Sequence, residues 1–291
     1  MGKRIFLFLL TNIAVVITLS IILSVLGVGD YVTDTGIDIR ALAIFCFIWG
    51  MGGAFISLQM SRWIAKRATG TKLVDGQTGR EELDWLHATV ARLTQQANLP
   101  MPEVGVYESA EVNAFATGPS KSRSLVAVSS GLLRAMRRDE VEGVLAHEVA
   151  HIGNGDMVTM TLLQGVINAF VLFLSQVIAH IVRQSMDSRL AGLVSFVVMI
   201  ASQIAFGILG SFITAWFSRH REFRADAGGA QLAGRGAMVG ALRRLASTQE
   251  LVDTRQPALA SFKISGRGGI MALLSTHPPL SQRIAALEAA V

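Results

Sequence analysis

His147 and His151 stand four residues apart with Glu148 between them, in a run at 141–156 that reads VEGVLAHEVAHIGNGD. On an α-helix, residues four apart share a face, so both imidazoles reach one metal ion while Glu148, about 100° round, points beside it. Two imidazoles with a neighbouring carboxylate are the parts of a zinc hydrolase: ligands for the metal and a base for a water. The surroundings suit a helix. Asp139 followed by Glu142 has the form of an N-terminal cap with its partner three residues on, Val141, Val144 and Leu145 supply an apolar side, and Gly153 offers a stop.

A tetrahedral hydrolytic zinc takes three protein ligands and a water, and two His with one Glu is a known set. The stretch 218–226, SRHREFRAD, supplies the third ligand as Glu222. Asp226, one turn further along the same helical face, is placed to receive the second N–H of a ligating imidazole. Taken alone this stretch is a charged helix end leaving an apolar run; the His pair and the topology below turn the reading toward a ligand. His220 falls on another face of that helix and is read as a solvated or lipid-headgroup contact. The same ligand set accepts cobalt or manganese, and availability favours one Zn2+ per chain.

Those ligands must be positioned by a chain with 51% hydrophobic and only 16% charged residues and a mean hydropathy of +0.48. Such a chain is too apolar for a soluble domain of 291 residues. The formal charge of +5 does not point to nucleic acid, because Lys and Arg sit where apolar segments end and no basic run interleaves with aromatics. The lone Cys46 lies within an apolar run, which leaves no intrachain disulfide framework and no Cys-based metal site.

Four apolar runs of about bilayer length occupy 5–28, 41–60, 157–182 and 190–217. The first is too long for the core of a cleaved signal peptide and is expected to be a retained anchor. Arg62, Lys66, Arg67 and Lys72 after the second run, and Lys3 and Arg4 before the first, place those ends in the cytoplasm. The seven residues 183–189 join the last two runs as antiparallel neighbours, so Glu222 returns to the side where His147 lies. Domain boundaries follow: membrane hairpins at 1–61 and 157–217, with a cytoplasmic domain assembled from 62–156 and 218–291.

Within that domain, Thr78 with Glu81 is expected to cap a helix running to about Ala97, closed off by Pro100 and Pro102. Short strands are expected at 104–107 and 125–128, and helices at 237–246 and 280–290. Residues 256–269 mix Pro, Ser and Gly as a linker or a mobile loop. Gln164, Asn168, Gln176 and Gln203 inside the apolar runs are expected to join helices to one another, and His180 to lie near the membrane interface.

HEVAH, EFRAD, Asn113-Ala114-Phe115-Ala116, and Thr276-His277-Pro278-Pro279 followed by Arg283-Ile284 together resemble the gluzincin family of membrane-bound zinc proteases, which includes prenyl-protein endopeptidases. The resemblance covers nearly the whole chain and implies an α-helical membrane protein with four transmembrane helices and a mainly α (α+β) zincin-like metalloprotease domain. By residue it implies His147, His151 and Glu222 as zinc ligands and Glu148 as general base and acid. It further implies that Asn113, Ala114, Phe115 and Ala116 form an edge strand on which an extended substrate pairs through its main chain. A bacterial inner membrane, unfolded or membrane proteins as substrates, and quality control under stress are also implied. His277 either lines the cleft, donating to an oxyanion, or is a structural residue of the turn before two prolines.

Two other classes compete with a cytoplasmic endopeptidase. Cleavage within the membrane would place HEVAH in lipid, where Arg137, Arg138, Asp139, Glu140, Glu142, Asn154 and Asp156 around it are too costly to bury. A non-catalytic scaffold stapled by zinc needs four protein ligands and leaves Glu148 without a task.

Overall fold

The computed structural model describes residues 36–186, 189–255, 275 and 277–289, together with 17, 21, 25, 32 and 33. The described chain forms two compact units, one within Met1–Gln59 and Thr159–Thr214, the other within Met60–Val158 and Ala215–Val291.

In the first unit a two-residue hairpin, β1 (Val32–Thr33) and β2 (Gly36–Ile37), precedes α1 (Ile39–Thr69). The helices that follow from the later apolar runs, α5 (Asp156–Gln184) and α6 (Ala191–Ala233), share with α1 a length and composition sufficient to cross a membrane. The run 5–28, expected as a further span, lies outside the described residues apart from Ile17, Ile21 and Val25, which are helical and exposed. Small residues set the helix spacing in this unit. A Cβ on Gly50 would stand 2.5 Å from the Ala169 backbone nitrogen, one on Gly165 2.7 Å from Met51 Sδ, and one on Gly210 2.5 Å from Ile167 Cγ2. Backbones approach this closely where lipid offers no hydrophobic drive and packing must hold helices together. Gln164 does not bridge helices as expected: its Nε2 donates to Asn168 Oδ1 at 2.8 Å on its own helix, because the two are one turn apart.

In the second unit β3 (Lys72–Val74), β4 (Glu103–Tyr107), β5 (Ala114–Ser120) and β6 (Arg123–Ser129) form one sheet in the order β3-β4-β6-β5. The β4–β6 pair is parallel and the other two are antiparallel. β5 is an edge, in register with β6 as Ala114 opposite Val128, Phe115 opposite Ala127 and Ala116 opposite Val126. α2 (Glu81–Gln96) and α4 (Arg138–Asn154) pack on this sheet, with α3 (Ser130–Ala135) between β6 and α4. Leu86, Val90 and Leu93 of α2 meet Val126 and Val128 of β6 and Val141, Leu145 and Val149 of α4 in one buried core. The amphipathic helices expected near the C-terminus are α7 (Arg235–Arg255) and α8 (Leu280–Ala289), whereas 256–269 falls outside the described residues.

Three expected helix ends differ from those observed. α4 starts from Arg137, whose N–H donates to the Glu140 carboxylate at 2.8 Å, while Asp139 lies in the first turn and pairs with the Arg137 guanidinium. Glu140 wins because it stands three residues past the cap, where a carboxylate reaches back to it. α2 starts from Arg80, and the N–H and hydroxyl of Thr78 both donate to Asp84 Oδ1 at 2.8 Å instead of capping at Glu81. α4 passes through Gly153 and stops at Gly155, whose φ of 69° is the left-handed turn that a side chain resists. The four-residue basic cluster after the second apolar run is partly structural, since Arg62 and Lys66 bind the Glu103 carboxylate at 3.1 and 2.8 Å.

Gly143 places α4 against α7, where a Cβ would sit 2.5 Å from the Ala237 carbonyl oxygen. Gly143→Leu should therefore force two backbones apart and cost about 1–3 kcal/mol or more in thermal unfolding. Gly153→Ala, whose Cβ would meet only Leu99 Cδ1 at 3.5 Å, should be neutral or stabilising by up to about 1 kcal/mol.

Candidate metal centre

The 3.6-residue repeat of α4 puts His147 and His151 on one buried stripe, and their Nε2 atoms lie 3.0 Å apart. α6 continues as one helix through the end of its apolar run to Gly234, so Glu222 rides on it into the second unit. Two glycines let α6 come close: a Cβ on Gly228 would be 3.0 Å from Ala150 Cβ, and one on Gly229 3.1 Å from the His147 backbone nitrogen. Glu222, only 1% exposed, thereby sets Oε2 3.6 Å from His147 Nε2 and Oε1 3.4 Å from His151 Nε2.

Behind each imidazole stands another carboxylate. Asp226 Oδ1 is 3.0 Å from His147 Nδ1, and Asp156 Oδ2 is 2.7 Å from His151 Nδ1. Arg283 of α8 grips Asp226 with two bonds, Nε to Oδ2 at 2.7 Å and Nη2 to Oδ1 at 2.6 Å, and its Nη1 comes within 3.3 Å of Glu222 Oε2. Bidentate geometry of this kind is among the strongest charge-assisted pairings. Arg224 Nη2 donates to Asp156 Oδ1 at 2.8 Å.

These residues fit a divalent cation. With Nδ1–H groups directed at Asp226 and Asp156, both Nε2 atoms present lone pairs toward each other. Both oxygens of Glu222 are buried and lack a hydrogen-bond partner among the described residues, although charged groups surround them. A buried carboxylate left so would be costly, and a cation between it and the two lone pairs removes that cost. Burial alone would lower the His151 pKa, but its bond to Asp156 and the nearby carboxylates of Glu222 and Glu148 raise it to about 9. That is the field of a site built to hold positive charge.

Of the remaining sequence candidates, Glu148 is half-buried on α4 next to the His stripe. His277, with a 62% exposed side chain, brings Nδ1 to 3.0 Å from Glu222 Oε2 and so reaches the centre from the far end of the chain. Asn113 is exposed and precedes β5, its carbonyl accepting from the Ser129 N–H at 2.9 Å. Ala114 and Ala116 face the core that contains α4, whereas Phe115 points through the other face of the sheet to Tyr107, 5.7 Å between ring centroids. His220 turns to the Trp216 carbonyl at 2.9 Å, away from the ligand set.

Asp156 and Arg283 belong to the centre and were not among the candidate site residues. A signal existed for Asp156, five residues past His151 and just beyond the glycine turn. For Arg283 the signal was its place in the motif 276–284 that carries the family resemblance, but periodicity gave it no role, since an arginine in an amphipathic C-terminal helix ordinarily points to solvent. Arg283→Met should leave buried Asp226 with His147 alone to answer its charge and lower stability by about 3–5 kcal/mol, whereas Arg283→Met with Asp226→Leu should recover much of that loss in thermal unfolding.

Residues 80–291 match the model of peptidase family M48. The chain is 52% identical to the "Protease HtpX homolog" of Methylacidiphilum infernorum, covering 99% of each chain, and 54% identical to that of Bacillus licheniformis, covering 99% of this chain and all of the relative. It is 47% identical to "Protease HtpX" of Acinetobacter baumannii over 98% of both. Among solved structures, S. mikatae Ste24p superposes with a TM-score of 0.66 at 18% identity, covering 99% of this chain and 64% of that one, which shows a shared fold. With its apolar helices and its possible metal site of His147, His151 and Glu222, this chain is a membrane metalloprotease and belongs to peptidase family M48.

Proposed function

We propose that the chain is an integral-membrane zinc endopeptidase that cuts misfolded or damaged proteins, membrane proteins among them, at the cytoplasmic face of a bacterial inner membrane, as quality control under stress. The observation that carries this reading is the convergence of His147, His151 and the Glu222 carboxylate, which has no hydrogen-bond partner among the described residues, beside a half-buried Glu148. His147, His151 and Glu222 hold one Zn2+, and Asp226 orients His147. When bound, zinc supplies Lewis acidity, acidifying a water and polarising the scissile carbonyl. Glu148 takes the proton from the water, holds it on its carboxylate and delivers it to the leaving amine nitrogen. The free edge of β5, entered through Asn113, pairs with the main chain of an extended substrate, so Ala114, Phe115 and Ala116 contribute backbone groups and sequence demand is low. His277, beside Glu222, lines the cleft.

Four spans, at about 5–28, 41–60, 157–182 and 190–217, make two hairpins that return both termini and the metalloprotease segments 62–156 and 218–291 to the cytoplasm. Lys3, Arg4, Arg67 and the arginines at 219, 221 and 224 support that orientation.

Detergent-purified Glu148→Gln should retain about one zinc and lose casein cleavage by about a hundredfold or more, because the ligands stay while the base is gone. Turnover at the wild-type rate in that variant would sink the mechanism, and zinc without cleavage in both proteins would favour a zinc-stapled scaffold. Glu222→Ala should lose both metal and activity; full zinc occupancy would remove Glu222 from the ligands. A topology reporter fused after Arg183 should read periplasmic and one after Asp226 cytoplasmic. Two cytoplasmic readings would mean that the last two apolar segments do not span.

A further inference from the structure

The two imidazoles are braced by different helices. Asp226 behind His147 lies on α6 and is locked by the buried Arg283, whereas Asp156 behind His151 is the first residue of α5 and has no exposed surface. Its two oxygens have separate tasks: Oδ2 is 2.7 Å from His151 Nδ1, and Oδ1 accepts from Arg224 Nη2 at 2.8 Å. We propose that Asp156, anchored by Arg224, is a positioning residue that keeps the His151 proton on Nδ1 and presents an unprotonated Nε2 to the metal. The proposal rests on reading His147, His151 and Glu222 as the ligand set.

A carboxylate serves both partners at once, while an amide in the same place has one acceptor oxygen and must abandon either His151 or Arg224. The competing account of Asp156 is that it merely starts α5, where a first-turn carboxylate favours the helix dipole; that role moves thermal stability and not zinc affinity or the Co2+ spectrum, so Asp156→Asn separates the two. The arrangement also ties one ligand's orientation to the meeting of the start of α5 with the charged end of α6, which carries Arg224. This brace is the one open to water: the Arg224 side chain is 59% exposed against 7% for Arg283.

The test is zinc titration of the full-length protein in detergent against a chromophoric chelator, with the visible spectrum of the Co2+-loaded protein as a readout of ligand geometry. Asp156→Asn should bind zinc about 10–100-fold more weakly with an altered Co2+ spectrum. Asp156→Glu should recover part of the affinity, and Arg224→Gln should show a smaller loss. Wild-type affinity and spectrum in Asp156→Asn overturn the proposal. Should that variant fail to fold, as judged by its thermal transition, Arg224→Gln takes its place under the same criterion. If wild type binds no metal, or His151→Ala binds as tightly as wild type, the ligand reading itself fails and takes this proposal with it; loss of binding in His151→Ala isolates the Asp156 result.

Discussion

An ionised carboxylate with almost no solvent contact is the constraint on which the second unit depends. Glu222 is 1% exposed, and Asp226 and Asp156 behind it are equally hidden. Three buried negative charges cannot stand without compensation, and each is answered within a few ångströms by an imidazole or a guanidinium. The compensation is complete for Asp226 and Asp156, which are hydrogen-bonded on both oxygens. It is incomplete for Glu222, which has no hydrogen-bond partner among the described residues, and a metal ion would satisfy that unfilled demand.

Such a centre requires helices to approach more closely than ordinary side chains allow. Gly228 and Gly229 let α6 lie against α4 at Ala150 and His147, and Gly143, one turn before His147 on the same face, lets α7 press close there. Glycine inside a helix costs about 0.5–1 kcal/mol relative to alanine, so these positions trade helix stability for the proximity of His147, His151 and Glu222, drawn from segments about 75 residues apart in the chain. A rigid platform then holds the ligands in place, because residues 144, 145, 149 and 152 of α4 are locked into the same core as α2 and the sheet.

The sheet has a second consequence. Among the described residues β5 pairs with β6 on one side only, which leaves a row of main-chain donors and acceptors along its other side, and α4, which carries the histidines, packs on the same strand. Edges of this kind attract extended chains, and recognition through such an edge reads backbone more than side chains.

Local chemistry was sufficient to read much of this from the chain. Periodicity placed His147, Glu148 and His151 on a helix, because spacing along a regular helix fixes which residues share a face. The apolar runs announced three of the long helices, since length and hydropathy decide what lipid accepts. Glu222 was reachable because the short turn at 183–189 implied a return to the same side. Tertiary structure decided what no local rule contains. Whether Arg283 points to water or into a buried carboxylate depends on which helix packs over it, and Asp156 becomes a partner of His151 only because Gly155 turns the chain there. The helix starts at Arg80 and Arg137 differ from expectation for a local reason: several nearby carboxylates could satisfy the same free groups, and Glu140 and Asp84 are the ones that reach them.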